Sequence, residues 1–170
     1  MRSCFLELPI QSCISGDLLV MMSQARREEW FPYYNFMALQ APDDLINQEP
    51  LFREMRKLYS FRGGIIKVAS NACYNWHRDS VRQTTINMLL LDDGGSHCVF
   101  APEKFDIVMP VTELKYRPDA YYVFNTQIPH LILNFTQPRY LFGLEFTDES
   151  TNLSYQDLCA DIEGLIYGHR

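Results

Sequence analysis

The chain has 170 residues, carries a net charge of −6 and is 47% hydrophobic. This length and composition predict a globular domain with a sizeable core and exclude an intrinsically disordered chain. The acidic balance argues against a nucleic-acid-binding surface, which usually shows a basic stripe, and no apolar run approaches the roughly 18 residues that cross a bilayer.

The first third of the chain predicts a mixture of helices and strands. CFLELPI (4–10) has the pattern of a strand, and GDLLVMMSQARR (16–27) places apolar residues on one face of a short helix. The aromatic segment EEWFPYYNF (28–36) is predicted as a loop. In PLFREMRKLYS (50–60), the proline suits the first position of a helix with one apolar stripe.

From Gly63 onward the pattern changes to short strands separated by turn residues. Strands are predicted within segments 63–69, 73–79, 83–92, 97–102, 106–116, 120–125, 129–135 and 139–147. Strands at this spacing are typical of an all-β sandwich or barrel, and a last helix begins with the capping pattern Ser154-x-x-Asp157. We therefore predict a mainly β fold with flanking helices, of the jelly-roll or double-stranded β-helix type.

The chain is predicted to form one domain, without repeats or linkers. Its parts are an N-terminal α/β support (1–61), a β-helix core (62–148) and a C-terminal helix (149–170).

The cellular compartment is predicted from the cysteines and the N-terminus. Five cysteines, an odd number without a Cys-x-x-Cys pair, indicate reduced thiols rather than a disulfide framework. The N-terminal segment is interrupted by Glu7 and Pro9 and differs from a signal peptide. We therefore expect a soluble cytoplasmic protein without a membrane partner.

Histidine and aspartate stand two positions apart in NWHRD, as His77 and Asp79. Alternate residues of a strand share a face, so both side chains can aim at one ion. A third ligand is sought among three histidines: His97 follows a turn and suits a solvated position, His169 is penultimate, and His130 enters an apolar strand after a proline. His77, Asp79 and His130 would form the two-histidine, one-carboxylate triad that suits iron(II) oxygen chemistry.

Arg139 lies nine positions after His130, across the turn TQP. If the two segments pair like a hairpin, Arg139 returns beside His130 and faces the metal cavity. A guanidinium in an apolar interior needs an anionic partner, and its fork matches a carboxylate. A dicarboxylic cosubstrate that also chelates the metal would meet both needs.

The segments GGIIKVASNACYNWHRDSVRQTTINMLL and YRPDAYYVFNTQIPHLILNFTQPRYLFGLEF resemble the iron(II)/2-oxoglutarate-dependent oxygenases. The resemblance covers about residues 62–147 and includes the H-x-D pair, a distant histidine and a downstream arginine. It is strongest to the aspartyl/asparaginyl β-hydroxylase-like branch, with prolyl-hydroxylase-like enzymes as near neighbours. The family fold is a cupin-like double-stranded β-helix.

This resemblance implies a dioxygenase that uses Fe(II), 2-oxoglutarate and O2 and releases succinate and CO2. It implies that His77, Asp79 and His130 bind iron and that Arg139 binds the distal carboxylate of 2-oxoglutarate. The substrate would be an amino-acid side chain, free or peptidyl. Many members carry Arg-x-Ser where this chain has Arg139-Tyr140-Leu141, so a hydroxyl beside the cosubstrate must come from elsewhere or be absent.

Several residues keep two interpretations at this stage. Asn87 shares the face of Asp79 if the strand has no bulge, and it either hydrogen-bonds the cosubstrate or satisfies a backbone group. Arg82 either reaches an acid on the substrate or lies solvated outside. Segment 28–36 is either a substrate-recognition lid or a cover for the flank, and a contribution of His97 to the site is open.

Two other functions are compatible with the same fold. One is a cupin-like module that binds a metal or a small acid without catalysis. The other is a structural jelly roll without a site. Arg139 after His130 favours the enzyme, because metal storage needs no carboxylate clamp. The expected partner is a small-molecule, peptide or protein substrate, and nucleic acid is not expected.

Overall fold

The structure, a computed structural model, describes residues 3–92, 94–101, 109–147 and 153–168. The strands within these ranges are β1 (Phe5–Gln11), β2 (Phe31–Tyr33), β3 (Phe36–Gln40), β4 (Phe61–Val68), β5 (Ala72–His77), β6 (Thr84–Leu91), β7 (Ser96–Phe100), β8 (Thr112–Leu114), β9 (Ala120–Asn125), β10 (His130–Asn134) and β11 (Arg139–Phe146). The α-helices within them are α1 (Ser15–Gln24), α2 (Asp43–Ile46), α3 (Pro50–Met55) and α4 (Tyr155–Tyr167).

The strands form two antiparallel sheets that face each other. The larger sheet has seven strands in the order β1-β9-β6-β11-β4-β3-β2, and the smaller has four in the order β5-β10-β7-β8. Neighbours in each order are mostly distant in the chain, as in a roll rather than in a meander. The predicted mainly β fold with flanking helices is confirmed.

The helices cover the outer face of the large sheet. Leu18 of α1, Phe52 of α3 and Leu158 of α4 are fully buried in one apolar cluster with the strand residues Ile65 and Ile86. Alternation along each strand then turns the neighbouring residues to the inner face, toward the small sheet. As predicted, Ser154 caps the N-terminus of α4: its hydroxyl accepts a hydrogen bond of 3.1 Å from the backbone N–H of Asp157.

A second apolar cluster joins the two sheets on one side of the sandwich. It includes Cys98 and Phe100 of β7, Leu114 of β8 and Phe124 of β9. Because this cluster closes the β7–β8 side of the roll, the space between β5, β10 and the middle of the large sheet remains as a cavity. The site described below lies there.

Two predictions about the fold need correction, and one helix was missed. Segment 28–36 is not a plain loop, because it contains β2 and the start of β3, which pair as a hairpin. The helix α2 was not predicted. The expected hairpin pairing of the His130 and Arg139 segments is wrong, since β10 and β11 belong to different sheets. A short turn between two apolar strands has the same local pattern whether the chain turns back in one sheet or crosses to the other.

Some predictions lie partly outside the described residues. His169 is one of these, and so is the first part of the strand predicted at 106–116, of which the structure describes β8. No helix in the described ranges is both long enough and apolar enough to cross a membrane.

Candidate metal centre and cosubstrate pocket

A cavity of about 170 Å³ lies between the two sheets and is lined by residues of both. Six residues that the sequence analysis predicted as candidates for the site line this cavity. They are His77, Asp79, Arg82, Asn87, His130 and Arg139. Residues up to 62 positions apart in the chain (139 − 77) therefore meet in one space. His97 is not among the lining residues, because its Nδ1 pairs with Oε1 of Glu113 at 2.6 Å.

His77, Asp79 and His130 form a compact group of possible metal ligands. His77 ends β5 and His130 begins β10, and the two residues are direct partners in the antiparallel pair. Oδ1 of Asp79 lies 3.6 Å from Nε2 of His77 and 3.9 Å from Nε2 of His130. One ligand atom from each residue lies within 4.8 Å of the others.

The aspartate reaches this group from a loop, not from the predicted strand. β5 ends at His77, and the backbone N–H of Asp79 donates to the carbonyl of Thr126 at 3.2 Å. The side chain of Gln127 donates to the carbonyl of Asp79 at 3.0 Å. These bonds fix the loop against the segment after β9, so the carboxylate is held beside both imidazoles.

In both histidines, Nδ1 already has a hydrogen-bond partner. Nδ1 of His77 lies 2.7 Å from the carbonyl of Asn75, and Nδ1 of His130 lies 2.9 Å from the carbonyl of Ile128. A carbonyl only accepts, so each Nδ1 carries the proton and each Nε2 offers a lone pair, as in metal-binding histidines. Burial lowers the pKa of His130 and favours the neutral ring that a metal requires.

The donor set fits a divalent transition metal. Two imidazole nitrogens and one carboxylate oxygen on one side of an ion are the arrangement found in non-haem iron(II) oxygenases, and they leave positions for other ligands. The three residues offer these donor atoms within 4.8 Å of one another.

Arg139, the first residue of β11, reaches the far end of the cavity from the opposite sheet. It is 1% exposed, and its Nη1 donates to the hydroxyl of Ser96 at 3.1 Å. Its Nε and Nη2 are buried without a hydrogen-bond partner among the described residues. Burying an unpaired cation is costly, so an anion bound at this end of the cavity would compensate the charge of Arg139.

Two hydroxyl groups accompany Arg139. Besides Ser96 on β7, the ring of Tyr116 lies 5.1 Å below the guanidinium carbon, and its hydroxyl is buried without a partner among the described residues. Burial raises the pKa of Tyr116, so its hydroxyl stays protonated. A hydroxyl beside the arginine thus comes from another strand rather than from position 141. Neither residue had a local signal in the sequence.

Asn87 projects into the middle of the cavity. It is 7% exposed, and its carboxamide makes no hydrogen bond to the described residues. Its strand partner is Gly143, four positions along β11 from Arg139. Asn87 and Arg139 both line the cavity, so the amide and the guanidinium face one common space.

Alanine substitutions at two glycines near Asn87 are expected to lower the free energy of unfolding by different amounts. A Cβ on Gly143 would lie 2.9 Å from Oδ1 of Asn87, an atom that rotates away, whereas a Cβ on Gly64 would lie 2.8 Å from the backbone oxygen of Leu39. We expect Gly64→Ala to lower the free energy of unfolding by about 2 kcal/mol. Gly143→Ala should cost less than about 1 kcal/mol and displace the Asn87 amide.

Urea denaturation and the side-chain amide NMR signals of Asn87 measure these effects. Gly16→Ala in α1 is the matched control, because a methyl group added there would have no atom within 4 Å, and it should stabilise by about 0.5 kcal/mol. Equal costs for Gly64→Ala and Gly143→Ala would contradict the packing described for the inner face.

Arg82 does not lie solvated outside the fold, so that interpretation is wrong. Its Nε donates to Oδ2 of Asp79 at 2.6 Å, and its side chain is 23% exposed. Segment 28–36 contributes the aromatic side chains of Tyr33, Tyr34 and Phe36 to the cavity wall. The hairpin that carries them thus borders the site as well as the flank.

Solved structures similar to this chain include several 2-oxoglutarate-dependent enzymes. A prolyl-4-hydroxylase from Pseudomonas putida aligns with a TM-score of 0.59 and 15% identity over 84% of this chain and 91% of its own. A prolyl hydroxylase from Trichoplax adhaerens, solved with a peptide fragment of the hypoxia inducible factor oxygen degradation domain, aligns with a TM-score of 0.63 and 14% identity over 86% of this chain and 84% of its own. SnoN, a non-haem α-ketoglutarate-dependent epimerase of nogalamycin biosynthesis, aligns with a TM-score of 0.59 and 9% identity over 87% of this chain and 79% of its own.

These alignments extend over most of the chain. The chain has the double-stranded β-helix fold. No protein-family profile matches the sequence, and no curated protein is significantly similar to it. At identities of 9–15%, these similarities establish the fold alone.

Proposed function

We propose that this protein is an iron(II)- and 2-oxoglutarate-dependent dioxygenase that hydroxylates a C–H bond of an amino-acid side chain, free or peptidyl. One observation carries the proposal: the cavity that contains the His–Asp–His group also contains a buried arginine with Nε and Nη2 unpaired among the described residues. A metal-binding module needs no such arginine. A dicarboxylate that chelates the metal and reaches Arg139 satisfies both ends of the cavity.

In this proposal His77, Asp79 and His130 hold iron(II) through Nε2, Oδ1 and Nε2. Iron(II) and 2-oxoglutarate would supply the oxidising chemistry, in which the substrate, O2 and 2-oxoglutarate give the hydroxylated substrate, succinate and CO2. The Asn75 and Ile128 carbonyls hold the proton of each neutral ring on Nδ1 and so leave the lone pair on Nε2, and the loop bonds of Asp79 keep its carboxylate in place.

The other cavity residues orient the cosubstrate. Arg139 donates from Nε and Nη2 to the distal carboxylate, and the protonated hydroxyl of Tyr116 adds a third donor. Ser96 holds the guanidinium by accepting a hydrogen bond from Nη1. Asn87, which lines the same cavity, hydrogen-bonds the cosubstrate through its carboxamide. The apolar side chains of Ile132 and Leu141 in the wall exclude water between the two ends.

An amino-acid substrate is supported by two considerations. The similar enzyme from Trichoplax adhaerens binds a peptide fragment, and the sequence resembles amino-acid hydroxylases over the β-helix core. We further propose that the chain belongs to the aspartyl/asparaginyl β-hydroxylase-like branch, with prolyl-hydroxylase-like enzymes as neighbours. Hydroxylation of an aspartyl or asparaginyl side chain rather than of proline would support this branch.

The test is 2-oxoglutarate turnover by the purified protein. With Fe(II), ascorbate and O2, we expect succinate release that is stoichiometric with CO2 and that increases when an accepted amino-acid or peptide substrate is added. Omitting Fe(II) or 2-oxoglutarate should abolish it. Tight binding of metal and 2-oxoglutarate without any succinate would instead identify a non-catalytic binding module, and no metal binding would identify a structural jelly roll.

A further inference from the structure

Arg82 stands at the junction of two cavities. A second cavity of about 50 Å³ adjoins the first and shares Tyr33, Ile66 and Arg82 with it. Its walls are the inner face of the large sheet and the β2–β3 hairpin. A substrate that approaches the metal through this second cavity passes Arg82 on the way.

The backbone and one side-chain nitrogen of Arg82 are fixed. Its carbonyl accepts from the hydroxyl of Thr126 at 2.8 Å and from the amide of Gln127 at 3.0 Å. Its Nε donates to Oδ2 of Asp79, so the other carboxylate oxygen, Oδ1, faces His77 and His130. Arg82 is therefore a positioning residue for the aspartate.

The two terminal nitrogens of Arg82 are free for another partner. Neither Nη1 nor Nη2 makes a hydrogen bond to the described residues, and the residue lines both cavities. Besides Asp79, the acidic side chain that interacts electrostatically with Arg82 is Glu145, and Nε of Arg62 donates to Oε2 of Glu145 at 2.7 Å. Burial raises the pKa of the neighbouring Tyr33 to about 12, so Tyr33 brings no negative charge.

The charge of the main cavity favours an anionic substrate. Three arginines and one aspartate line it (Arg78, Arg82, Arg139 and Asp79), which gives a net charge of +2. Iron(II) and the 2-oxoglutarate dianion cancel each other and leave this surplus unchanged. A positive cavity of low dielectric attracts a negative ligand group and repels a positive one.

We propose that Arg82 binds a carboxylate of the substrate through Nη1 and Nη2 while its Nε holds Asp79. This inference rests on the proposed function and narrows its substrate class to amino acids or peptides that carry a carboxylate near the hydroxylated carbon. The planar fork of a guanidinium matches the two oxygens of a carboxylate. One side chain thereby links recognition of the substrate to the position of a metal ligand.

Binding of a substrate carboxylate by Arg82 is tested with pairs of ligands that differ only in carrying an acid or an amide. Protein loaded with Mn(II) and the inert cosubstrate analogue N-oxalylglycine is titrated with N-acetyl amino acids and with their primary amides, and binding is followed by NMR. We expect at least one acid to bind about tenfold more tightly than its amide, which is the effect of one charge-assisted contact. In Arg82→Gln this preference should disappear.

Arg117→Gln is the control for loss of positive charge. Arg117 pairs with Glu7 at 3.1 Å, is 66% exposed and lines neither cavity, so its variant should keep the preference for the acid. If no acid binds wild type better than its amide, or if Arg82→Gln keeps the preference, the inference is overturned.

Metal affinity tests the positioning role of Arg82 without any substrate. Loss of a partner of a metal-binding carboxylate weakens metal affinity by roughly 10–100-fold, so we expect this from Co(II) titration of Arg82→Gln. Arg82→Lys should lie between that variant and wild type. If His77→Ala abolishes Co(II) binding but both Arg82 variants bind like wild type, Arg82 has no positioning role. If His77→Ala binds Co(II) normally, the proposed function itself fails.

Discussion

His77→Ala is expected to lose binding of one divalent cation and, with it, all 2-oxoglutarate turnover. The remaining His130 and Asp79 offer two ligand atoms 3.9 Å apart, and two ligands hold a labile divalent ion weakly. We expect affinity for Co(II) to fall by at least about 100-fold, since even loss of an outer partner of a ligand costs 10–100-fold. Isothermal titration and the visible spectrum of bound Co(II) measure this directly.

His97→Ala is the matched control for this prediction. His97 is a histidine of the small sheet, like His77 and His130, but its ring pairs with Glu113 outside the cavity. The variant should keep wild-type metal affinity and turnover. Equal Co(II) binding by wild type and His77→Ala would show that the ion binds elsewhere. A loss of Co(II) affinity in His97→Ala would indicate a metal site nearer to β7.

The strands and most of the site could be predicted because both have local patterns. Alternating apolar residues and turn signals indicated β4 to β7 and β9 to β11, and the spacing of His77 and Asp79 is visible within three residues. Both Nε2 atoms and the carboxylate do converge. Strand alternation does not account for Asp79, since its position depends on hydrogen bonds to Thr126 and Gln127.

What the sequence could not predict depends on how the two sheets face each other. Arg139 was expected beside His130 in one hairpin, but it enters from the opposite sheet. Ser96 and Tyr116 join it from β7 and from the segment after β8. No spacing relates these three residues along the chain, because only the closed sandwich brings them together.

The ion pair of Arg82 with Asp79 also could not be predicted from the sequence, although the two residues are close in the chain. The residues are three positions apart, yet the segment between them forms no helix, and strand alternation would put their side chains on opposite faces. The pair forms because the loop bends back against the segment after β9. Local spacing therefore suggested solvent, and the tertiary contacts produced a buried connection between the metal ligand and the second cavity.

Arg139→Gln is expected to weaken 2-oxoglutarate binding by about 100-fold, because truncating one member of a buried charge pair costs about 2–5 kcal/mol. The cause is loss of the donors Nε and Nη2, which lack partners among the described residues. Without ligand the variant should be no less stable than wild type, since it removes a buried cation that is only partly paired. Thermal unfolding with and without cosubstrate separates these two effects.

The strongest form of this test compares two ligands. 2-Oxobutyrate retains the metal-chelating end of 2-oxoglutarate but lacks the distal carboxylate that Arg139 is proposed to bind. In the presence of Mn(II), wild type should prefer 2-oxoglutarate strongly, and Arg139→Gln should bind both acids with similar, weak affinity. If wild type bound the two acids equally, no residue would bind the distal carboxylate and this part of the proposal would be wrong.

If Arg139→Gln retained the preference for 2-oxoglutarate, a residue other than Arg139 would bind the distal carboxylate. The expected loss of discrimination would connect the unpaired guanidinium to the chemistry at the histidines, because one molecule would then span both ends of the cavity.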